Sequence, residues 1–249
     1  MIFRLEDTFQ PQVTPESDRY VEQLREAILQ RHSVRNYLDR PLEDDIIKKL
    51  REKIGQLNET GNLHIQLITD EPKAFKGVFA YGKFSGVKNY FVVAGKKGED
   101  LDYRVGYYGE ELVLFCQSLG LNTCWVGLSY RKVANTYQLA DGEKIACYIS
   151  VGYGETGGRD HKRKSLSEVS NASPATPEWF ADGVEAALLA PTAINQQKFR
   201  FEYIGREKGD LEEVKADKGF SIVGYTKMDL GIARLHFEIG AYPHPFRWR

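Results

Sequence analysis

The sequence predicts a mixed helix–strand chain of the α/β or α+β class. Three observations point there. Apolar residues recur at helical spacing in three long stretches. Between them lie alternating or continuous apolar runs of strand length. The two kinds of segment interleave along the whole chain, apart from one polar, Gly/Ser/Pro-containing passage.

The elements follow in order. Ser17 is a candidate helix cap, with Tyr20, Leu24, Ala27, Ile28 and Arg31 behind it at helical spacing. The helix ends in RHSVRNYLDRP, residues 31–41. A second helix carries Ile46, Ile47, Leu50, Ile54 and Leu57 on one stripe and breaks at Gly61-Asn62. HIQLIT, 64–69, alternates as a half-buried strand, and NYFVVAG, 89–95, is continuous, as a central strand is. Residues 101–120 form a long helix with Val105, Tyr108, Leu112, Phe115 and Leu119 on one side and Gly120 as its left-handed stop. TCWVG, 123–127, is a short strand or tight passage, and IACYISVGYG, 145–154, is another strand. The texture then changes. Residues 155–177 are rich in Gly, Ser, Pro and charge, as a connector is. Thr176-Pro177 reads as a cap and a first helical proline, opening a helix to about Ala190. KFRFEYI, 198–204, alternates as a strand, and DLGIARLHFEIGA, 229–241, is the last helix.

Composition narrows the function. Basic residues number 34 and acidic residues 35, so no strong field favours nucleic acid or a membrane surface. No apolar run approaches the ~20 residues that span a bilayer. The N-terminus lacks the apolar core of a signal peptide. Cys116, Cys124 and Cys147 form no CxxC pair, which fits reduced, buried thiols and a cytoplasmic location.

Two stretches carry chemistry. In RHSVR, Arg31 and Arg35 flank His32 and Ser33. In an extended chain Arg31, Ser33 and Arg35 share one edge. Arginine forks suit phosphate, and a serine hydroxyl adds a neutral donor. The competing reading is a polar turn between helices. In APTAINQQKFRF, 190–201, the amides of Asn195 and Gln197 can read a planar heterocycle or a sugar edge, or simply build a helix-to-strand loop.

These motifs resemble those of the nitroreductase family. RHSVRNYLDRP is similar to its N-terminal flavin-binding signature. APTAINQQKFRF is similar to its A-P-S-x-x-N-x-Q-P-W-x-F segment, with Lys198-Phe199 where Pro-Trp is usual. LGLNTCWVG, 119–127, resembles L-G-L-G-T-C-W-I-G, and VGY followed by RDHKRKSLSEV, 151–169, resembles the closing strand and basic tail. The order differs from the ordinary family, where the A-P-S segment closely follows the first signature. The sequence therefore resembles a single-chain subfamily with two nitroreductase-like halves: 1–160 as the first, 161–177 as a linker, and 178–249 as a shorter second half.

The resemblance implies an α+β, three-layer α/β/α nitroreductase-like fold and an intramolecular pseudo-dimer, with one chain sufficient for the site. It implies FMN as cofactor, NADH or NADPH as co-substrate, and a small-molecule electron acceptor such as a quinone or nitroaromatic, turned over by ping-pong hydride transfer. The flavin carries the chemistry, and no side chain acts as nucleophile or general base. Arg31 and Ser33 would hold the phosphate, with His32 also among the cofactor-binding residues and Gln197 a second-line contact, while Arg35 would reach the ribityl chain or the ring's N1–C2 edge and supply positive charge there. Lys83 would assist there, and backbone N–H groups of Val126 and Gly127 would face the ring. Arg163 and Lys164 would complete the phosphate cluster; as residues alone, 159–164 also read as a solvated charge run. Pro191, Thr192 and Asn195 would line the cofactor from the second half. The alternative is a flavin-binding protein without turnover, a store or redox sensor.

Overall fold

A computed structural model of the chain describes residues 6–76, 84–206 and 211–249. Lys83 lies outside the described residues. The chain divides into two compact units. The first comprises residues up to Leu29, Asp102–Glu111 and His161–Arg249; the second comprises Gln30–Leu101 and Leu112–Asp160.

In the second unit, α2 (Asp44–Gly61) ends at Asn62 in the left-handed conformation, φ 46°, whose N–H returns to the Asn58 carbonyl. Strands β2 (His64–Ile68), β3 (Asn89–Lys96), β4 (Asn122–Val126) and β5 (Glu143–Gly152) form an antiparallel sheet of order β2-β3-β5-β4. The central strand β3 is buried from Asn89 through Gly95, as its continuous apolar run predicts. A long helix, α3 (Leu101–Ser118), gives its residues from Leu112 to this unit, and Gly120 stops it at φ +77°. One face of the sheet holds an aromatic cluster. Tyr90 and Tyr148 stack at 5.1 Å, and Tyr130 covers Tyr148 at 3.9 Å.

In the first unit, α1 (Pro15–Gln30) begins one turn earlier than expected. Thr14 is the cap. Its hydroxyl accepts from the Ser17 N–H at 3.1 Å, and its own N–H donates to Ser17 Oγ at 2.7 Å. The pair forms a reciprocal box with Pro15 at the first helical position. A short helix, α4 (Leu166–Val169), interrupts the predicted connector, closed by a capping box between Ser165 and Glu168. Helix α5 (Glu178–Leu188) takes Pro177 rather than Thr176 as its cap, because the Thr176 hydroxyl is held in a turn with Ser173. Helix α6 (Thr226–Ala241) follows. The sheet of this unit has the order β1-β8-β7-β6, from Thr8–Phe9, Phe246–Trp248, Glu212–Lys218 and Phe199–Gly205. Phe180, Phe201, Phe237, Phe246 and Trp248 pack as its aromatic core, with Phe201 and Phe237 stacked at 4.8 Å.

Candidate flavin site

Residues 31–38 leave α1 and run extended beside the second unit's sheet. Val34 N–H donates to the Thr123 carbonyl at 3.0 Å, and Leu38 N–H to the Tyr153 carbonyl at 2.8 Å. Tyr37 anchors the segment. Its ring is buried, and its hydroxyl bonds the Val34 carbonyl and Ser150 Oγ, each at 2.8 Å. From the other side the segment meets the glycines of VGYGETGG. A Cβ at Gly158, which has φ +86°, would lie 2.6 Å from the His32 Cβ, and one at Gly154 would lie 2.8 Å from a Val34 methyl. The close approach explains these glycines.

The extended geometry gathers the motif side chains at one thiol. Cys124, in β4, is buried, and burial raises its thiol pKa. Arg35, a hydrogen bond with Ser33, and Arg31 all pull that pKa back down, in that order. Both guanidiniums therefore act electrostatically on the thiol, and Ser33 bonds it. Arg31 is buried, Ser33 and His32 are half-buried, and Arg35 is exposed. Val126 closes β4 in a buried position, and Gly127 follows in a bend. This donor set fits a phosphate and an electron-rich ring edge.

The first unit presents a second arrangement. The turn after α5 is held in a strained shape, with Ile194, Asn195 and Gln197 at φ 48°, 56° and 45°. A β-branched residue in that region is uncommon. Gln197 organises it. Its Oε1 accepts from Lys164 N–H at 3.0 Å, its Nε2 donates to the Lys162 carbonyl and to Asn195 Oδ1, both at 2.8 Å, and its N–H donates to Thr192 Oγ1 at 3.0 Å. Asn195 Nδ2 also donates to the Lys162 carbonyl at 2.8 Å, and Lys164 Nζ donates to the Gln197 carbonyl at 2.8 Å. Thus Thr192, Asn195 and Lys164 are locked into one network beside Pro191. Burial lowers the Lys164 pKa, and neighbouring Lys198 lowers it further. Arg163 and Lys164 border a cleft of about 700 Å³ with Arg25, Leu29, Asp182 and Glu185. Sequence reasoning placed Gln197 second and missed Asp229. The Asp229 carboxylate accepts from Ala193 N–H at 3.0 Å and Gln196 Nε2 at 2.6 Å.

Among the described residues no group of three or more His, Cys, Asp or Glu could hold a metal, and no helix is long and apolar enough to cross a membrane. The fold is a mixed one of α+β class, with two arginines on the segment that follows its first long helix. The family model described as "Putative TM nitroreductase" matches residues 23–241, and the chain belongs to that nitroreductase family. A crystal structure of a "putative nitroreductase" from Thermotoga maritima shares the fold, with TM-score 0.56, 23% identity, and coverage of 87% of this chain and 82% of that one. A "putative nitroreductase in complex with FMN" from Desulfovibrio desulfuricans matches at TM-score 0.49 and 16% identity, over 66% of this chain and all of that one. A "Putative NADH Oxidase" from Clostridium acetobutylicum matches at 0.45 and 20%, over 57% and 96%. No curated protein gives a significant match.

Proposed function

We propose that the protein is an FMN-dependent NAD(P)H oxidoreductase whose acceptors are quinones or nitroaromatics. The observation that carries this reading is the extended segment fixed by Tyr37, which sets Ser33 against Cys124 with Arg31 and Arg35 close enough to act on the same thiol, in a chain of the nitroreductase family. FMN, when bound, supplies two-electron chemistry between a nicotinamide and an acceptor. With a quinone the overall change is NAD(P)H + quinone + H⁺ → NAD(P)⁺ + hydroquinone: one hydride and one solvent proton reach the acceptor.

The chain's residues bind and tune. Arg31 and Ser33 donate to the phosphate, with His32 at the same end, and Arg35 sets a positive potential where negative charge accumulates. Val126 and Gly127 offer backbone N–H groups, and Lys83 adds charge. Arg163 and Lys164 neutralise further phosphate charge, while Pro191, Thr192 and Asn195 present a rigid wall, since their turn is already hydrogen-bonded. Burial of Lys164 strengthens its pull on an anion.

Two measurements test the reading. Flavin released from the denatured protein should chromatograph as FMN, and NAD(P)H should be oxidised steadily when a quinone is supplied. FAD as the released species, or no flavin after reconstitution, overturns it; bound FMN without turnover makes the protein a flavin store or sensor.

A further inference from the structure

In the second unit three tyrosine rings lie nearly parallel. Tyr130 covers Tyr148 with ring centroids 3.9 Å apart and planes 13° apart, and Tyr148 covers Tyr90 at 5.1 Å and 9°. Aromatic pairs ordinarily stand about 4.5–7 Å apart, so the first contact is unusually close. Tyr148 and Tyr90 are fully buried, whereas Tyr130 is half-buried. The stack therefore runs from the edge of the core into it. The loop that carries Tyr130 is pinned. Arg131 N–H donates to the Ala74 carbonyl at 2.8 Å, and Gln138 N–H donates to Gln66 Oε1 at 2.9 Å. At the inner end the Tyr90 hydroxyl donates to Glu71 Oε2 at 3.2 Å. That carboxylate is itself fixed by the N–H groups of Lys73 at 2.9 Å and Ala74 at 3.1 Å. Burial pushes the Tyr90 phenol up to about 12 and raises that of Tyr148 too, so both rings are neutral phenols near neutral pH. Packing needs only the rings; a phenol set on a fixed carboxylate is more than packing asks.

We propose that the stack of Tyr130, Tyr148 and Tyr90 carries one-electron oxidation inward from its half-buried ring, and that Tyr90 keeps the radical by passing its proton to Glu71. The argument is one of overlap and proton acceptance. Parallel rings in contact share π density, so an electron vacancy on one ring is filled from the next. An oxidised phenol is a strong acid, and it holds the radical where a base takes its proton. The Tyr90 hydroxyl already rests on such a base. The step balances. A one-electron oxidant takes an electron from Tyr130, Tyr148 refills Tyr130, and Tyr90 refills Tyr148. The Tyr90 O–H bond breaks as an O–H bond forms on Glu71. The net change is Tyr90–OH + Glu71–COO⁻ + oxidant → Tyr90–O• + Glu71–COOH + reduced oxidant. The co-reactant is a diffusible one-electron oxidant, a radical or a high-valent metal complex. The activity is electron donation to it, one equivalent per chain, and it is independent of the flavin reading.

The test mixes the full chain, as purified, with hexachloroiridate(IV), an outer-sphere one-electron oxidant, and freezes samples for electron paramagnetic resonance. A long-lived phenoxyl signal is expected, forming more slowly in deuterated water because a proton moves with the electron. Tyr90→Phe should lose most of that signal. Tyr148→Phe keeps the packing but interrupts the path, and should lose most of it too. Glu71→Gln, at a half-buried position, should lower the yield and remove the solvent isotope effect. Melting temperatures are read alongside, and Glu71→Gln decides the matter should either phenylalanine variant unfold. No phenoxyl signal in the native chain overturns the inference. An unchanged signal in Tyr90→Phe overturns it by placing the radical on another ring. An unchanged signal in Tyr148→Phe does so by showing that oxidation reaches Tyr90 outside the stack, and an unchanged yield in Glu71→Gln by showing that another base takes the proton.

Discussion

Arg31 shows how much one residue can be asked to carry. It is buried at the end of α1, and its charge is felt at Cys124. A charge-assisted hydrogen bond is worth about 1.5–3 kcal/mol. Arg31→Ala should therefore weaken FMN binding by about one to two orders of magnitude, measured by fluorescence titration of the apoprotein; unchanged affinity would make RHSVR only a turn. Asp229 is a different kind of residue. Burial pushes its carboxyl up to about 6, against the hydrogen bonds from Ala193 and Gln196. A carboxyl raised on folding contributes stability that is full below its unfolded pKa and is lost as pH rises through the folded value. Asp229 thus adds least to stability above about pH 6, although its ionised carboxylate then accepts the two hydrogen bonds most strongly. The two residues differ in legibility. RHSVR announces its chemistry by side-chain type and spacing. Asp229 sits in the first turn of a helix, where an acidic residue already has a local explanation, and its partners lie more than thirty positions away.

At the scale of elements, the first unit joins α6 to residues 102–111 of α3 by close backbone approach and a buried polar seam. A Cβ at Gly231 would stand 2.2 Å from the Tyr103 carbonyl oxygen, and one at Gly106 would stand 2.0 Å from that of Met228. Gly231→Ala should cost about 1–3 kcal/mol by overpacking and lower the melting temperature by about 2–4 °C per kcal/mol. Gly55→Ala, exposed in the middle of α2 with nothing within 4 Å, should raise it slightly, by the ~0.5–1 kcal/mol of helix propensity. In the seam, Glu238 accepts from Tyr107, Trp248 and Arg234, and His236 pairs with Glu110 at 3.0 Å. Burial pushes the Glu238 carboxyl up to about 7 despite those donors. Its folded pKa exceeds the unfolded one, so stability should fall between about pH 4.5 and 7, by on the order of 3 kcal/mol. Glu238→Gln should flatten that part of the profile in denaturant titrations at successive pH values; an unaltered slope would place the titration elsewhere.

The elements legible in the sequence were those with enough length to show a period. Helices α2 and α3 and strands β3 and β5 are long and apolar on the side that packs. Strand β7, EEVKADK, sits between β8 and β6 yet carries no apolar alternation. Its buried Glu213 lies 3.7 Å from the Arg247 guanidinium, supplied by a strand more than thirty residues on, and no local window contains that partner. Strands β1 and β8, of two and three residues, are too short for any periodic signal.

At the scale of the molecule the argument is one of counting. RxSxR occurs once, at 31–35, and A-P-x-x-x-N occurs once, at 190–195. In the ordinary family, by the resemblance already drawn, each chain carries both close together and two chains build two equivalent sites. Here the motifs lie far apart in sequence, each in single copy, and we propose that the two meet within one chain. We therefore expect one FMN per chain, on a particle of one chain's mass, 28.4 kDa. Size-exclusion chromatography with light scattering and flavin absorbance reads both quantities in one peak. Dilution separates the alternatives, because a site made within a chain keeps its flavin occupancy as protein concentration falls at fixed free FMN, whereas a site made between chains loses it with the dimer. Flavin confined to the dimer peak, or occupancy that falls with protein concentration, would show that the two motifs meet only between chains.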